Sequence, residues 1–206
     1  MVPPMPAKRS TPTSTRAPGR PRSQHARRAI LDATRALVEE GGYAAATIEA
    51  ISARAGVAKT TIYRWWPSRA ALVVELLMDM ASKAVPPPAG PEPLVALLTE
   101  MRGIAGAADH MAGRLLTSLL GEAQQDPEIR TALLEGLFHP RTEATGKVIR
   151  QAQKSGRLRD DVPAHVAVDL LVGPLFYRMF VRHRPLNDAF ARQVFRNVMT
   201  GLQRRR

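Results

Sequence analysis

The sequence predicts an all-α protein in two parts: a small N-terminal unit built around a helix-turn-helix, then a larger helical bundle. Three observations predict it. Apolar residues recur at three- and four-residue intervals along nearly the whole chain, and no segment sustains the alternation of a half-buried strand. Capping and stop residues bracket each apolar-periodic stretch. A proline-rich run, residues 86–93, divides the chain.

Residues 1–22 hold six prolines and five basic side chains (Lys8, Arg9, Arg16, Arg20 and Arg22) with no acid. So little apolar surface cannot offset ordering entropy, which predicts a disordered basic arm. From Ser23, a candidate N-cap, Ala26, Ile30, Ala33, Leu37 and Val38 share one helical face, and Gly41-Gly42 can close the helix. Thr47 caps a second, short helix carrying Ile48, Ile51 and Ala55, which Gly56 stops. A third runs from about Lys59 to Trp66, because Pro67 disfavours continuation past the preceding residue. Ser68 caps a fourth, with Leu72, Val73, Leu76, Leu77 and Met80 inward, ending before Pro86.

Beyond the prolines, Leu94, Leu97, Leu98 and Met101 form one helical stripe and Leu115, Leu116, Leu119 and Leu120 the next. Asp126-Pro127-Glu128 puts a cap, a first-turn proline and a dipole-matched acid in register, opening a helix that runs to Gly156. Pro163 opens another and Asn187-Asp188 the last, for about nine in all. Residues 23–72 are thus the expected helix-turn-helix domain, and residues 73–206 the second domain.

Composition narrows the function. Of 206 residues, 45% are hydrophobic, enough for one good core or two small ones. Thirty Lys and Arg against 18 Asp and Glu leave a net charge of +12, which points to a polyanionic partner. The absence of cysteine removes disulfides, thiolate catalysis and zinc-ribbon chemistry, and fits a cytoplasmic location. The five histidines lie 18 or more residues apart without ligand spacing, and no nucleophile elbow, phosphate loop or zinc-protease motif occurs. No enzyme activity, metal or cofactor is expected. The apolar residues from Leu170 to Tyr177 are interrupted by Gly173 and Pro174 and followed by Arg178, so no membrane span is expected.

The stretch from Thr47 to Leu72 carries the chemistry. Gly56 permits a left-handed turn, Ala53 and Ala55 allow close helix approach, and Val57 with Ile62 seals the corner. The third helix is short enough to enter a major groove end-on, and Lys59, Thr60 and Thr61 have no apolar duty to the core. Thr47, Tyr63, Arg64, Trp65 and Arg69 add phosphate and base donors on the same side, with Ile51, Ile62 and Trp66 opposite. An ordinary helical corner would need the same glycine and apolar pair but not this polar face.

Residues 24–72 resemble the DNA-binding domain of the TetR family of transcriptional regulators. The likeness rests on Gly41-Gly42-Tyr43, Thr47-Ile48, Ala55-Gly56-Val57, Tyr63 and Ser68-Arg69, and further along on Asp126-Pro127-Glu128 and Gly156-Arg157-Leu158-Arg159. The resemblance implies that Thr47 and Tyr63 hold phosphates, that Lys59, Thr60 and Thr61 face base edges, and that Arg69 donates to phosphate. Trp65 and Trp66 depart from the family's commoner His or Tyr followed by Phe. Trp66 can fill the Phe volume, while Trp65 either offers its indole N–H to phosphate or packs.

In the arm, Pro18-Gly19-Arg20-Pro21-Arg22 resembles the Gly-Arg-Pro core of AT-hook peptides, which implies minor-groove contact by Arg20 and Arg22; a solvated tail is the alternative. The family implies a homodimer reading two half-sites of a double-stranded palindromic operator and released by a small-molecule effector. On that basis residues 163–182 and 187–203 are the expected dimer helices, with Leu171, Leu175, Phe176, Phe195 and Met199 as candidates; intrachain core explains any one of them equally well. Leu98, Met101, Met111, Leu115, Leu119, Phe138 and Tyr177 are candidate effector contacts. The other function consistent with +12 is a basic protein that binds nucleic acid without regard to sequence.

Overall fold

The computed structural model describes residues 20–88 and 90–203, with side chains from Gln24 onward, so residues 1–19 of the basic arm lie outside the described residues. Among these residues the protein is ten α-helices and one π-helical turn: α1 (Arg20–Ala45), α2 (Ile48–Ala55), α3 (Lys59–Tyr63), α4 (Arg69–Ala84), α5 (Pro93–Ala107), α6 (Met111–Glu122), α7 (Pro127–Leu133), the π segment Leu134–Phe138, α8 (His139–Lys154), α9 (Ala164–Val181) and α10 (Asp188–Leu202).

Local chemistry sets most of these boundaries. Thr47 accepts from Ala50 N, Ser68 from Ala71 N, Asp126 from Glu128 N and Ile129 N, and Asn187 from Phe190 N, each at a helix start. Gly56 ends α2 in the left-handed conformation (φ 64°). The first helix departs from expectation. It begins at Arg20, with Pro21 in its first turn where the missing N–H costs nothing, so Ser23 lies inside it and is not its cap. It loses helical geometry at Gly41 and Gly42.

The helix expected from Pro127 to Gly156 is also divided. Pro140 has no N–H to return to the carbonyl of Gly136, and the His139 N–H donates instead to Leu134 O, five residues back. The wider turn separates α7 from α8, and the nine expected helices become ten.

Two apolar cores organise the chain. The first joins the helix-turn-helix to the inner faces of α4, α6 and α7, with Ile30, Ile51, Ile62 and Trp66 continuous with Leu76, Leu119 and Leu133. The second joins α5, α8, α9 and α10 through Leu97, Ile149, Leu171, Leu175 and Met199. The proline run therefore ends α4 without dividing the cores, because α6 and α7 fold back onto the N-terminal unit. At the turn, Ala55 is half-buried but Ala53 is exposed, so Ala53 is no helix contact.

Helix α9 runs unbroken through Gly173 and Pro174, contrary to the expected interruption, and is long and apolar enough by length and composition to cross a membrane. Its apolar side chains instead divide between the second core and an exposed face. Arg178 bends back, donating to Pro185 O at 3.0 Å and stacking on Phe190, which ties the α9–α10 connection.

Candidate nucleic-acid interface

Helix α3 stands on a single anchor. Ile62 is fully buried, while Lys59, Thr60, Tyr63 and Arg64, which neighbour one another on the helix surface, are exposed and Thr61 is half-buried. Val57 packs against the first core, and its carbonyl accepts from Ser52 Oγ at 2.6 Å, which locks the corner. The leading end of the recognition helix is therefore presented to solvent.

Lys59 is not idle. Its ammonium pairs with Glu49 on α2, and that contact holds the Glu49 carboxyl below its ordinary range. Both side chains are more than half exposed, so the pair is weak and open to exchange with a phosphate or a base edge. Thr47 is half-buried; its oxygen caps α2 at 3.1 Å from Ala50 N, and its hydroxyl proton remains available to a phosphate.

Arg69 is half-buried and committed. Its Nε donates to Tyr43 Oη at 3.1 Å and its guanidinium lies 4.0 Å over the Tyr43 ring. Burial pushes the Tyr43 phenol up, against the opposing pull of Arg69. Only the terminal nitrogens of Arg69 are left for a phosphate, so the role implied for it is at most shared.

Trp66 is 3% exposed and fills the core position expected of it. Sequence reasoning missed how it is held. Its indole Nε1 donates to Glu75 Oε2 of α4 at 2.7 Å, and the same carboxylate binds Arg27 of α1. Arg27 also lies within 6 Å of both tryptophan rings. Glu75 was hidden in the sequence as a charged position within an apolar helix. Trp65 is 41% exposed beside Arg27, so its indole faces solvent and packs partly against that arginine. Arg20 and Arg22 fall in the first turn of α1 by backbone; their side chains lie outside the described residues.

A second feature lies between the two cores. A cavity of about 100 Å³ is walled by α4, α5, α6, the π segment, α8 and α9. Of the expected effector contacts, Phe138 lines it and six do not. Leu115 and Leu119 are buried in the first core and Met101 in the second; Met111 faces a separate crevice beside Tyr43; Leu98 is half-buried away from the wall; Tyr177 is 61% exposed. Their chain neighbours Leu116, Glu100 and Phe176 take the wall positions, about 100° away around each helix. Apolar spacing shows that a face is buried, not which of two buried surroundings it meets.

The same ambiguity removes three of the five dimer candidates, Leu171, Leu175 and Met199, from any surface, while Phe176 and Phe195 are half-buried. Leu171, Leu175 and Met199 are 1%, 0% and 4% exposed within the chain's own second core, Phe195 packs against that core, and Phe176 lines the cavity. The exposed apolar residues of α9 are Val166, Leu170, Tyr177, Phe180 and Val181.

The comparisons agree with this geometry. Residues 30–76 match the family described as bacterial regulatory proteins, tetR family, and residues 93–198 match the tetracyclin repressor-like C-terminal domain. The HTH-type transcriptional regulator YdeS of Bacillus subtilis is 30% identical over 185 residues, covering 90% of this chain and 93% of YdeS. The HTH-type transcriptional repressor KstR of Mycobacterium tuberculosis is 29% identical over 164 residues, covering 80% of this chain and 62% of KstR. The crystal structure of the TetR family transcription regulator SCO0332 superimposes with a TM-score of 0.74 at 30% identity, covering 87% of this chain and all of that one. With a solvent-facing recognition helix on an N-terminal helix-turn-helix and a helical bundle behind it, the chain belongs to the TetR family of DNA-binding transcriptional regulators.

Proposed function

We propose that the protein is a cytoplasmic repressor that sits as a homodimer on a palindromic operator and leaves it when a small molecule enters the cavity between the two cores. The observation that carries this reading is the position of α4. Near its middle Glu75 holds Trp66 and Arg27, and so the seat of the recognition helix; from about half a turn further along, Leu77 and Ala81, with Val85 just past the helix end, form one wall of the cavity. Anything that moves α4 from the cavity side moves that seat. An effector acts only by favouring one α4 position over the other, since equal affinity for both shifts nothing.

Dimerisation belongs to the exposed face of α9. Val166, Leu170, Tyr177 and Val181 follow one another at helical intervals, with Phe180 at the rim and Gly173 midway. Reading successive major grooves requires the two-fold axis to hold two copies of α3 about 34 Å apart. Thr60 and Lys59 then read base edges while Thr47, Tyr63 and Arg64 hold phosphates, and Arg20 and Arg22 extend the contact into the adjacent minor groove.

Binding of the full chain to a palindrome from upstream of its own gene, against a scrambled duplex of equal length at fixed salt, tests the reading. Specific recognition gives at least a thousandfold preference for the palindrome, on the order expected of an operator. Equal affinities would replace the regulator reading with that of a sequence-indifferent basic protein.

A further inference from the structure

The cavity wall contains one group that its own surroundings leave short of donors. Glu100, on α5, is 4% exposed and lines the cavity. Its two carboxylate oxygens face a single hydroxyl, Thr145 Oγ1 on α8, at 3.1 and 2.9 Å, and the same hydroxyl stands 3.0 Å from Arg141 O. A threonine hydroxyl carries one proton, so three acceptors compete for it, whereas an ionised carboxylate accepts from about four directions.

Arg141 does not make up the difference. It lines the cavity but is half-buried, directs one nitrogen to Val85 O at 2.7 Å, and forms no ion pair with Glu100 among the described residues. The remaining cavity wall is largely apolar, with Ile104, Leu116, Leu137, Phe138 and Val172 among the lining residues. A carboxylate placed in such a wall is costly unless something else donates to it. Burial accordingly pushes the Glu100 carboxyl up, against the smaller opposing effects of Thr145 and Arg141.

We propose that the cavity binds a small apolar molecule bearing a protonated amine, whose N–H groups donate to the Glu100 carboxylate while its hydrocarbon body meets the apolar wall. This assignment rests on the reading of the cavity as the effector site. An ammonium supplies three donors where the chain supplies a fraction of one, and its charge is matched by the acid. A cavity of about 100 Å³ is smaller than the roughly 150 Å³ that takes a benzene ring, so it suits a short, slender chain and not a bulky ligand.

Hexylamine, hexanol and hexanoate share one body and differ only in the head, so they probe the head group directly. Titrated into the full chain by calorimetry at neutral pH, hexylamine should bind about tenfold more tightly than hexanol or better. Hexanoate should be weakest, and Glu100→Gln should erase the advantage of the amine. Equal binding of amine and alcohol, tighter binding of hexanoate through Arg141, or binding of none of the three would overturn the proposal. Should Glu100→Gln fail to fold, the ranking in the unaltered chain decides alone. Operator retention measured in the same mixtures separates the two readings. Hexylamine that binds without releasing DNA overturns the effector reading and leaves the ligand class standing; release by hexanol as effective as by hexylamine does the reverse.

Discussion

At the scale of single residues, the proposed function divides the recognition helix into positions that read sequence and positions that hold the DNA backbone. Lys59 leads α3 and can trade Glu49 for a base edge, whereas the Tyr63 hydroxyl lies a full turn later on the exposed face. Lys59→Ala is expected to cut the ratio of operator to scrambled binding by about tenfold, the value of one good base contact. Tyr63→Phe should weaken both duplexes by the same factor in parallel gel-shift titrations; a selective loss at Tyr63 would reverse the two roles. Glu100 provides a prediction in pH. Its carboxyl is raised above the ordinary value of 4.5 because burial disfavours the charged form. A raised native value means that the protonated acid stabilises the fold fully below 4.5, and that this contribution is lost as pH rises through the native value. Glu100→Gln does not titrate. Its stability in urea relative to the unaltered chain should therefore climb from mildly acid to neutral pH, and a difference constant from pH 4 to pH 8 would show that burial does not govern this acid.

At the scale of elements, the helices pack by close approach at a few defined points. Gly113 on α6 stands where an added Cβ would lie 2.2 Å from Ala108 O and 2.7 Å from Ala107 O, both backbone atoms that cannot swing aside. Gly113→Ala should cost about 1–3 kcal/mol or more in chemical denaturation, as the α5–α6 turn is forced open. A neutral result would mean that the turn relaxes without loss. Cap chemistry, by contrast, was readable in advance. Thr47, Ser68, Asp126 and Asn187 each cap the helix their position announced, because a cap is a contact between residues two or three apart. Ser23 failed for the same local reason, since a proline two residues earlier lets the helix begin sooner. The π turn at Leu134–Phe138 hangs on Pro140, whose effect on a helix otherwise strongly patterned the periodicity conceals.

At the scale of the whole molecule, the proposed two-fold assembly uses the apolar face left exposed on α9. Tyr177 and Leu170 are 61% and 46% exposed within a helix whose other side is fully buried. Placing charges there, as in Leu170→Arg with Tyr177→Glu, should convert a dimer to monomer in sedimentation while leaving the helical circular dichroism unchanged. Operator affinity should then fall steeply, since each half-site would be held alone; a double variant that remains dimeric would move the interface elsewhere.

From the amino-acid order alone came the all-α class, the helix-turn-helix with its exposed polar face, the buried role of Trp66 and most helix starts. These follow from contacts within a turn or two, or from a hydrophobic period that any environment would reveal. Tertiary structure alone decided which buried face meets which neighbour. Leu171 and Leu175 went to the intrachain core and not to an interface, Leu116 and not Leu115 to the cavity, and Glu75 to Trp66 and Arg27 across the first core. Helical periodicity reports that a side chain leaves water, and it carries no label for the surface received in exchange; that pairing exists only once distant helices have packed.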